Sequence, residues 1–170
     1  LNLSHLPKNY KVVANIPYYI TSALIRHLLE ADHKPTRMVL TVQQEVAERI
    51  LARDGKMSLL ALSVQVYGKP ELKARIPAGC FYPAPEVDSA VLTIELYPQP
   101  LIPAEQLDLF FELAHAGFAQ KRKTLRNTLA SGMNESPAWA EKLLTAAGVD
   151  PQRRAETLSL PEWKQIVEAY

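Results

Sequence analysis

Residues 11–43, KVVANIPYYITSALIRHLLEADHKPTRMVLTVQ, decide the fold class. Lys11-Val12-Val13-Ala14-Asn15-Ile16 and Arg37-Met38-Val39-Leu40-Thr41-Val42-Gln43 are short runs rich in β-branched and apolar residues, the pattern of strands covered on both faces. Between them Leu24, Ile25, Leu28 and Leu29 recur with helical period behind Thr21, whose hydroxyl suits an N-cap. The spacing predicts a βαβ unit.

Outward from this unit, Val46, Ala47, Ile50 and Leu51 predict a helix, and Leu59 to Tyr67 another, stopped by Gly68. Glu71 to Ile76 and Asp88 to Tyr97 are strand candidates, the second alternating Leu92, Ile94 and Leu96 against Val91, Thr93 and Glu95. A proline-rich loop, Pro77 to Pro85, joins them. Three prolines in Pro98-Gln99-Pro100-Leu101-Ile102-Pro103 favour an extended connector, which predicts domains over 1–97 and 98–170.

Beyond the connector everything reads as helix. Leu107, Phe110, Phe111, Ala114 and Phe118 form one stripe, and Phe118, Leu125 and Leu129 line a second helix. Ser136-Pro137 opens a third, ending at Gly148. Ser159 and Glu162 form a capping box for a last helix whose Trp163, Ile166, Val167 and Tyr170 share a face. The expected architecture is an α/β region followed by a small helical bundle.

Composition narrows the chemistry. The 170 residues contain 6 glycines against 13 prolines, and the glycines at 55, 68, 79, 117, 132 and 148 are too dispersed for G-x-G-x-x-G or a phosphate-binding loop. The single cysteine, Cys80, permits neither an internal disulfide nor a C-x-x-C knuckle, and reads as a small buried residue. His5, His27, His33 and His115 show no metal-ligand spacing, so no metal is expected. There is no signal-peptide pattern and no membrane-spanning run, which points to the cytoplasm. The absence of an initiator methionine suggests that the sequence starts partway through a longer protein. A net charge of +1 hides a local cluster, Phe118 to Asn127, with four cations and no acid.

Asn15-Ile16-Pro17-Tyr18 falls at the C-terminal end of the first strand, the edge where open α/β sheets place ligands. The tetrapeptide suits methylation of an exocyclic amine, a poor nucleophile because its lone pair is delocalised into the ring. Two fixed acceptors on its N–H groups would favour a pyramidal nitrogen and aim the lone pair at an incoming methyl group. Asn15 offers a side-chain carbonyl and Ile16 a backbone carbonyl, whose direction Pro17 restricts. Tyr18 offers a face for an extruded base. An ordinary strand-ending turn remains the alternative.

Five ordered blocks carry a family resemblance: 12–21 (VVANIPYYIT), 38–49 (MVLTVQQEVAER), 81–91 (FYPAPEVDSAV), 118–125 (FAQKRKTL) and 153–159 (RRAETLS). Together they resemble the ribosomal RNA adenine dimethyltransferases, the KsgA family. The resemblance implies the second half of a Rossmann-like class I methyltransferase sheet over 1–97, then a helical domain over 98–170 that contacts rRNA. It further implies transfer of methyl groups from S-adenosylmethionine to N6 of two adjacent adenines near the 3′ end of small-subunit rRNA, within a pre-ribosomal particle, without metal or membrane. By that similarity Asn15 and the Ile16 carbonyl hold the amine, Pro17 fixes their geometry, and Tyr18 stacks on the base. Phe81 closes the pocket from the opposite side, unless it is a buried loop aromatic. Asn15 also borders the methyl donor.

On a helix Arg122 and Arg126 would share a face with Lys123 beside them, so Lys121, Arg122, Lys123 and Arg126 are candidate phosphate contacts. A solvated helix face is the alternative. Arg153 and Arg154, offset by Asp150 and Glu156, read as local structure. The sequence departs from the family pattern at Glu86, where lysine is usual, and at Met57-Ser58-Leu59-Leu60 in place of Tyr-Gly-x-Leu. The family's glycine-rich donor loop belongs upstream of Leu1, so the 170 residues are expected to be inactive alone. A related large-subunit rRNA methyltransferase and a non-catalytic ribosome-assembly factor are the rival readings.

Overall fold

The computed structural model describes Leu3, residues 5–53 and residues 55–170. These fold as β1 (Lys11–Asn15), α1 (Thr21–Glu30), β2 (Arg37–Gln43), α2 (Gln44–Ile50), α3 (Leu59–Gln65), β3 (Gly68–Ile76), β4 (Ser89–Leu96), α4 (Leu107–Phe118), α5 (Leu125–Gly132), α6 (Pro137–Ala146) and α7 (Leu160–Ala169). The chain separates into two compact units, one reaching to Leu51 and resuming at Ser63–Gln99, the other made of Ala52–Leu62 and Pro100–Tyr170. A single cut near residue 97 therefore misses the excursion of 52–62. The backbone N–H of Met57, a buried residue, donates to the Glu156 carbonyl at 2.9 Å, and this pairing fastens the segment to the helical unit.

In the first unit the four strands lie in the order β1-β2-β4-β3. β1 and β2 pair in parallel across α1, as the βαβ pattern predicts, whereas β4 runs antiparallel to both β2 and β3. Met38, Leu40 and Val42 of β2 and Ala90, Leu92 and Ile94 of β4 are fully buried. Each such large side chain contributes about 1.5–3 kcal/mol of burial free energy. β1 differs from its expected two-sided burial. Lys11, Val13 and Asn15, which alternate along the strand and share one face, are exposed, Val13 at 79%.

Two expected helix signals have other roles. Thr21 is the first helical residue rather than the N-cap. A 3₁₀ turn over Tyr18–Ile20 leads directly into α1, the Thr21 N–H bonds the Tyr18 carbonyl, and its buried hydroxyl donates to the Pro17 carbonyl at 3.5 Å. Gly68 opens β3 instead of ending α3, and its lack of a side chain permits close strand pairing. A Cβ there would stand 2.7 Å from the Glu95 carbonyl oxygen.

The helical unit packs α4 against α5 and α7, and α6 against α5 and α7, around Phe110, Leu113, Leu125, Leu129, Leu144, Trp163 and Ile166, all fully buried. Gly132 of α5 meets Ala116 of α4 so closely that a Cβ would lie 2.7 Å from the Ala116 Cα. Ser136 caps α6 and Ser159 with Glu162 forms the capping box of α7. Phe118 ends α4 and stacks on Trp163 at 5.8 Å, so it does not belong to the next helix. Tyr170 is 62% exposed, off the buried face of α7, and meets Trp139 edge-on at 6.0 Å.

Candidate functional site

Asn15 ends β1 opposite Thr41, and the Ile16 N–H continues the ladder by donating to the Thr41 carbonyl at 3.2 Å. The Ile16 side chain is buried, which fixes the backbone, and Pro17 follows at φ −56° and ψ 130°. Proline holds the preceding residue extended, so the orientation of the Ile16 carbonyl is set covalently. The turn that follows carries Tyr18. Its hydroxyl and the Ser89 Oγ are 2.7 Å apart, and Ser89 is a fully buried residue at the start of β4.

The opposite wall comes from the loop between β3 and β4. The Asp88 carboxylate accepts the Ala78 N–H at 2.9 Å, and its carbonyl accepts the Gln44 N–H at 3.0 Å. Through these bonds Asp88 fixes the loop. A 3₁₀ turn over Ala78–Cys80 delivers Phe81 in extended conformation, φ −111° and ψ 154°. Asn15, Ile16, Pro17, Tyr18 and Phe81 meet with Pro83 and Pro85 around a cavity of about 280 Å3. Phe81 is half-buried on this cavity rather than a core residue. Cys80, expected inside, is exposed because the turn carries it outward.

Among the described residues, no charged side chain lines the cavity. Among the described residues, neither the Asn15 carboxamide nor the Ile16 carbonyl has a hydrogen-bond partner. The Tyr18 hydroxyl, by contrast, is already engaged. The arrangement is an open, largely apolar cleft with two acceptors unpaired among the described residues at its strand-derived edge, which suits a flat heterocycle bearing an amino group. Pro83 and Pro85 are lining residues that sequence reasoning did not single out; their i, i+2, i+4 spacing with Phe81 in the FYPAP segment was the available signal.

The basic segment does not form the expected helix face. Lys121, Arg122 and Lys123 occupy the loop between α4 and α5, exposed and, among the described residues, without ion pairs. Arg126 alone is helical. Its guanidinium pairs with Glu141 at 3.1 Å, while its Nε is buried without a partner. The break has a long-range cause: the Leu125 and Arg126 N–H groups donate to the carbonyls of Arg153 and Pro151, at 2.7 and 3.2 Å. Arg153 is built into local structure, as expected: its backbone N–H donates to the Asp150 carbonyl at 3.1 Å, while its side chain engages Glu162 and Thr157 rather than the Asp150 or Glu156 carboxylates. The Arg153 guanidinium, aided by the Ser159 hydrogen bonds and opposed by burial, holds the Glu162 carboxyl below the ordinary carboxylate range. Among the described residues no His, Cys, Asp or Glu cluster could hold a metal ion, and no helix is long and apolar enough to cross a membrane.

The model of the family described as "Ribosomal RNA adenine dimethylase" matches residues 2–170. A protein named ribosomal RNA small subunit methyltransferase A from Dehalococcoides mccartyi strain CBDB1 is 53% identical over 163 residues, covering 95% of this chain and 55% of the relative. Its namesake from Moorella thermoacetica is 44% identical over 160 residues, covering 92% and 55%. The chain thus spans about half the length of the curated relatives it matches. Among solved structures, a dimethyladenosine transferase from Plasmodium falciparum superposes with TM-score 0.80 at 23% identity, covering 96% of this chain and 67% of that one. The 23S rRNA methyltransferase ErmE gives 0.73 at 23% identity, with 98% and 68% covered. These likenesses give the chain the class I methyltransferase fold, an α/β unit followed by helices.

Proposed function

Since the chain belongs to the ribosomal RNA adenine dimethylase family, we propose that its cavity is the target-base pocket of an enzyme that dimethylates N6 of two adjacent adenines near the 3′ end of small-subunit rRNA. One observation carries this reading: the acceptors of Asn15 and Ile16, unpaired among the described residues, stand at the edge of a cleft walled by Tyr18 and Phe81. Accepting both amino N–H groups would localise the nitrogen lone pair outside the ring plane. Tyr18, held through Ser89, and Phe81 would fix the plane of the base, so that the nitrogen presents one face only. The relatives' names favour the small subunit over the large one.

S-adenosylmethionine is the methyl donor implied by the family, and the described residues do not fit it as a whole. Among the described residues, the cavity lining holds no carboxylate for ribose hydroxyls and no charged group for an amino-acid moiety. Asn15 would border the donor, and this chain would contribute the acceptor side of the reaction. The 170 residues alone are therefore expected to be inactive, and titration with S-adenosylmethionine in a calorimeter should give no binding heat. Saturable binding would overturn this part of the reading.

Lys121, Arg122 and Lys123 would neutralise rRNA phosphates in a cytoplasmic pre-ribosomal particle. Arg126, paired with Glu141, contributes to the position of α5 instead. In the whole protein, Asn15→Ala separates an enzyme from a non-catalytic assembly factor. Methyl transfer to immature small subunits should collapse while binding persists; unchanged transfer would remove Asn15 from the reaction.

A further inference from the structure

Two tyrosines are next in the chain to cavity-lining residues and stand exposed. Tyr19 is 88% exposed and Tyr82 fully exposed, and among the described residues neither ring has a hydrogen bond or an aromatic neighbour. Other tyrosines are employed. Tyr10 stacks on His33 and donates to its carbonyl, Tyr18 is held through Ser89, and Tyr67 is buried. Tyr19 directly follows Tyr18 on the strand-derived wall, and Tyr82 sits between Phe81 and Pro83 on the loop-derived wall. Neither lines the cavity, yet each is adjacent in the chain to residues that do.

We infer that Tyr19 and Tyr82 are stacking platforms for the two nucleotides that flank the target adenine. The inference rests on the base-pocket reading above and adds the conformation of the RNA around it. A base drawn into a pocket leaves both its neighbours with one uncovered face, and this loss of stacking opposes extrusion. An exposed aromatic ring beside each wall in the chain would cover those faces, and base–aromatic stacking is tolerant of base identity because every base has a π-face. Neither ring packs against the protein, so its contribution is realised only when RNA is bound. The substrate segment is thus single-stranded over at least three nucleotides, the central one inside the cavity and its neighbours on the rim.

The test measures binding of the 170-residue chain to single-stranded oligoribonucleotides by fluorescence anisotropy. The RNAs carry a central adenine between normal nucleotides, a central adenine between abasic ones, or an abasic centre. On the first RNA, Tyr19→Ala and Tyr82→Ala should each weaken binding by about 5- to 100-fold, while Tyr19→Phe and Tyr82→Phe retain affinity. On the abasic-flank RNA the alanine variants should match wild type, and their thermal midpoints should be unchanged. Equal weakening on both RNAs, or none while wild type still prefers the central adenine, overturns the inference and leaves the base pocket standing; none would also be the result if the rings served a protein partner. A wild-type chain indifferent to the central adenine would instead overturn the base pocket, and the platforms with it.

Discussion

Tyr18 and Arg122 are both candidate RNA contacts, and the structure treats them in opposite ways. Tyr18 is fixed at both ends, by the strand that leads into it and by a hydroxyl contact to buried Ser89. Around it, Asn15, Pro17 and Phe81 are positioned by ladder bonds, a proline ring and the Asp88-anchored loop. Arg122 lies with Lys121 and Lys123 in an exposed loop, with no ion pair among the described residues. The difference matches two physical demands. Orienting an amine for group transfer needs fixed geometry, because the gain comes from groups that need no rearrangement. Neutralising phosphates needs charge but little geometry, since phosphate contacts do not read sequence. Arg126 shows what happens when a cation of the same segment is given a fixed partner: Glu141 takes its charge.

The hardest break of this contrast is Asn15→Ala in the whole protein. Methyl incorporation into small subunits should fall about 100- to 1,000-fold, by analogy with removal of one preorganised group, with RNA affinity intact. Next comes the loop. Replacing Lys121, Arg122 and Lys123 by serine should lower the slope of log affinity against log salt by about 0.7 for each single-strand phosphate no longer neutralised. Arg126→Ser should leave that slope alone and lower the melting temperature, and the reverse pattern would exchange the two roles. A smaller effect concerns Glu162, whose carboxyl is held below its usual range by Arg153 and Ser159. Its stabilisation is present above the ordinary value of 4.5 and is lost as pH falls toward the depressed folded value. The stability gap between wild type and Glu162→Gln in urea unfolding should therefore narrow below pH 4.5. Smallest are Ser89→Ala and Tyr18→Phe, about 1 kcal/mol each. The double variant should cost less than the sum, because both remove the same hydrogen bond.

Features with local causes were legible in the sequence. Apolar runs gave β2 and β4, serine caps gave the starts of α6 and α7, and the chemistry of Asn15-Ile16-Pro17-Tyr18 gave one wall of the cavity. What failed depended on partners far away in the chain. Helical spacing across Arg122 and Arg126 is real, but the N–H groups that begin α5 are claimed by carbonyls near residue 152. Val13 looks like a core residue, yet it lies with Lys11 and Asn15 on an exposed face of β1, which an apolar run by itself does not announce. Gly68 resembles a helix stop because nothing nearby in sequence announces the Glu95 carbonyl pressed against it. The anchoring of Tyr18 spans 71 positions, beyond any periodicity argument.

Both tryptophans, Trp139 and Trp163, lie in the helical unit, and the α/β unit has none. Emission excited at the red edge of indole absorption consequently reports on one unit alone, dominated by the change as fully buried Trp163 reaches water. Far-ultraviolet circular dichroism records both units at once. Overlaid denaturation curves from the two signals therefore compare a part with the whole: coincidence means the units melt together, and a displaced fluorescence curve dates the unfolding of the helical one without a label or a mutation.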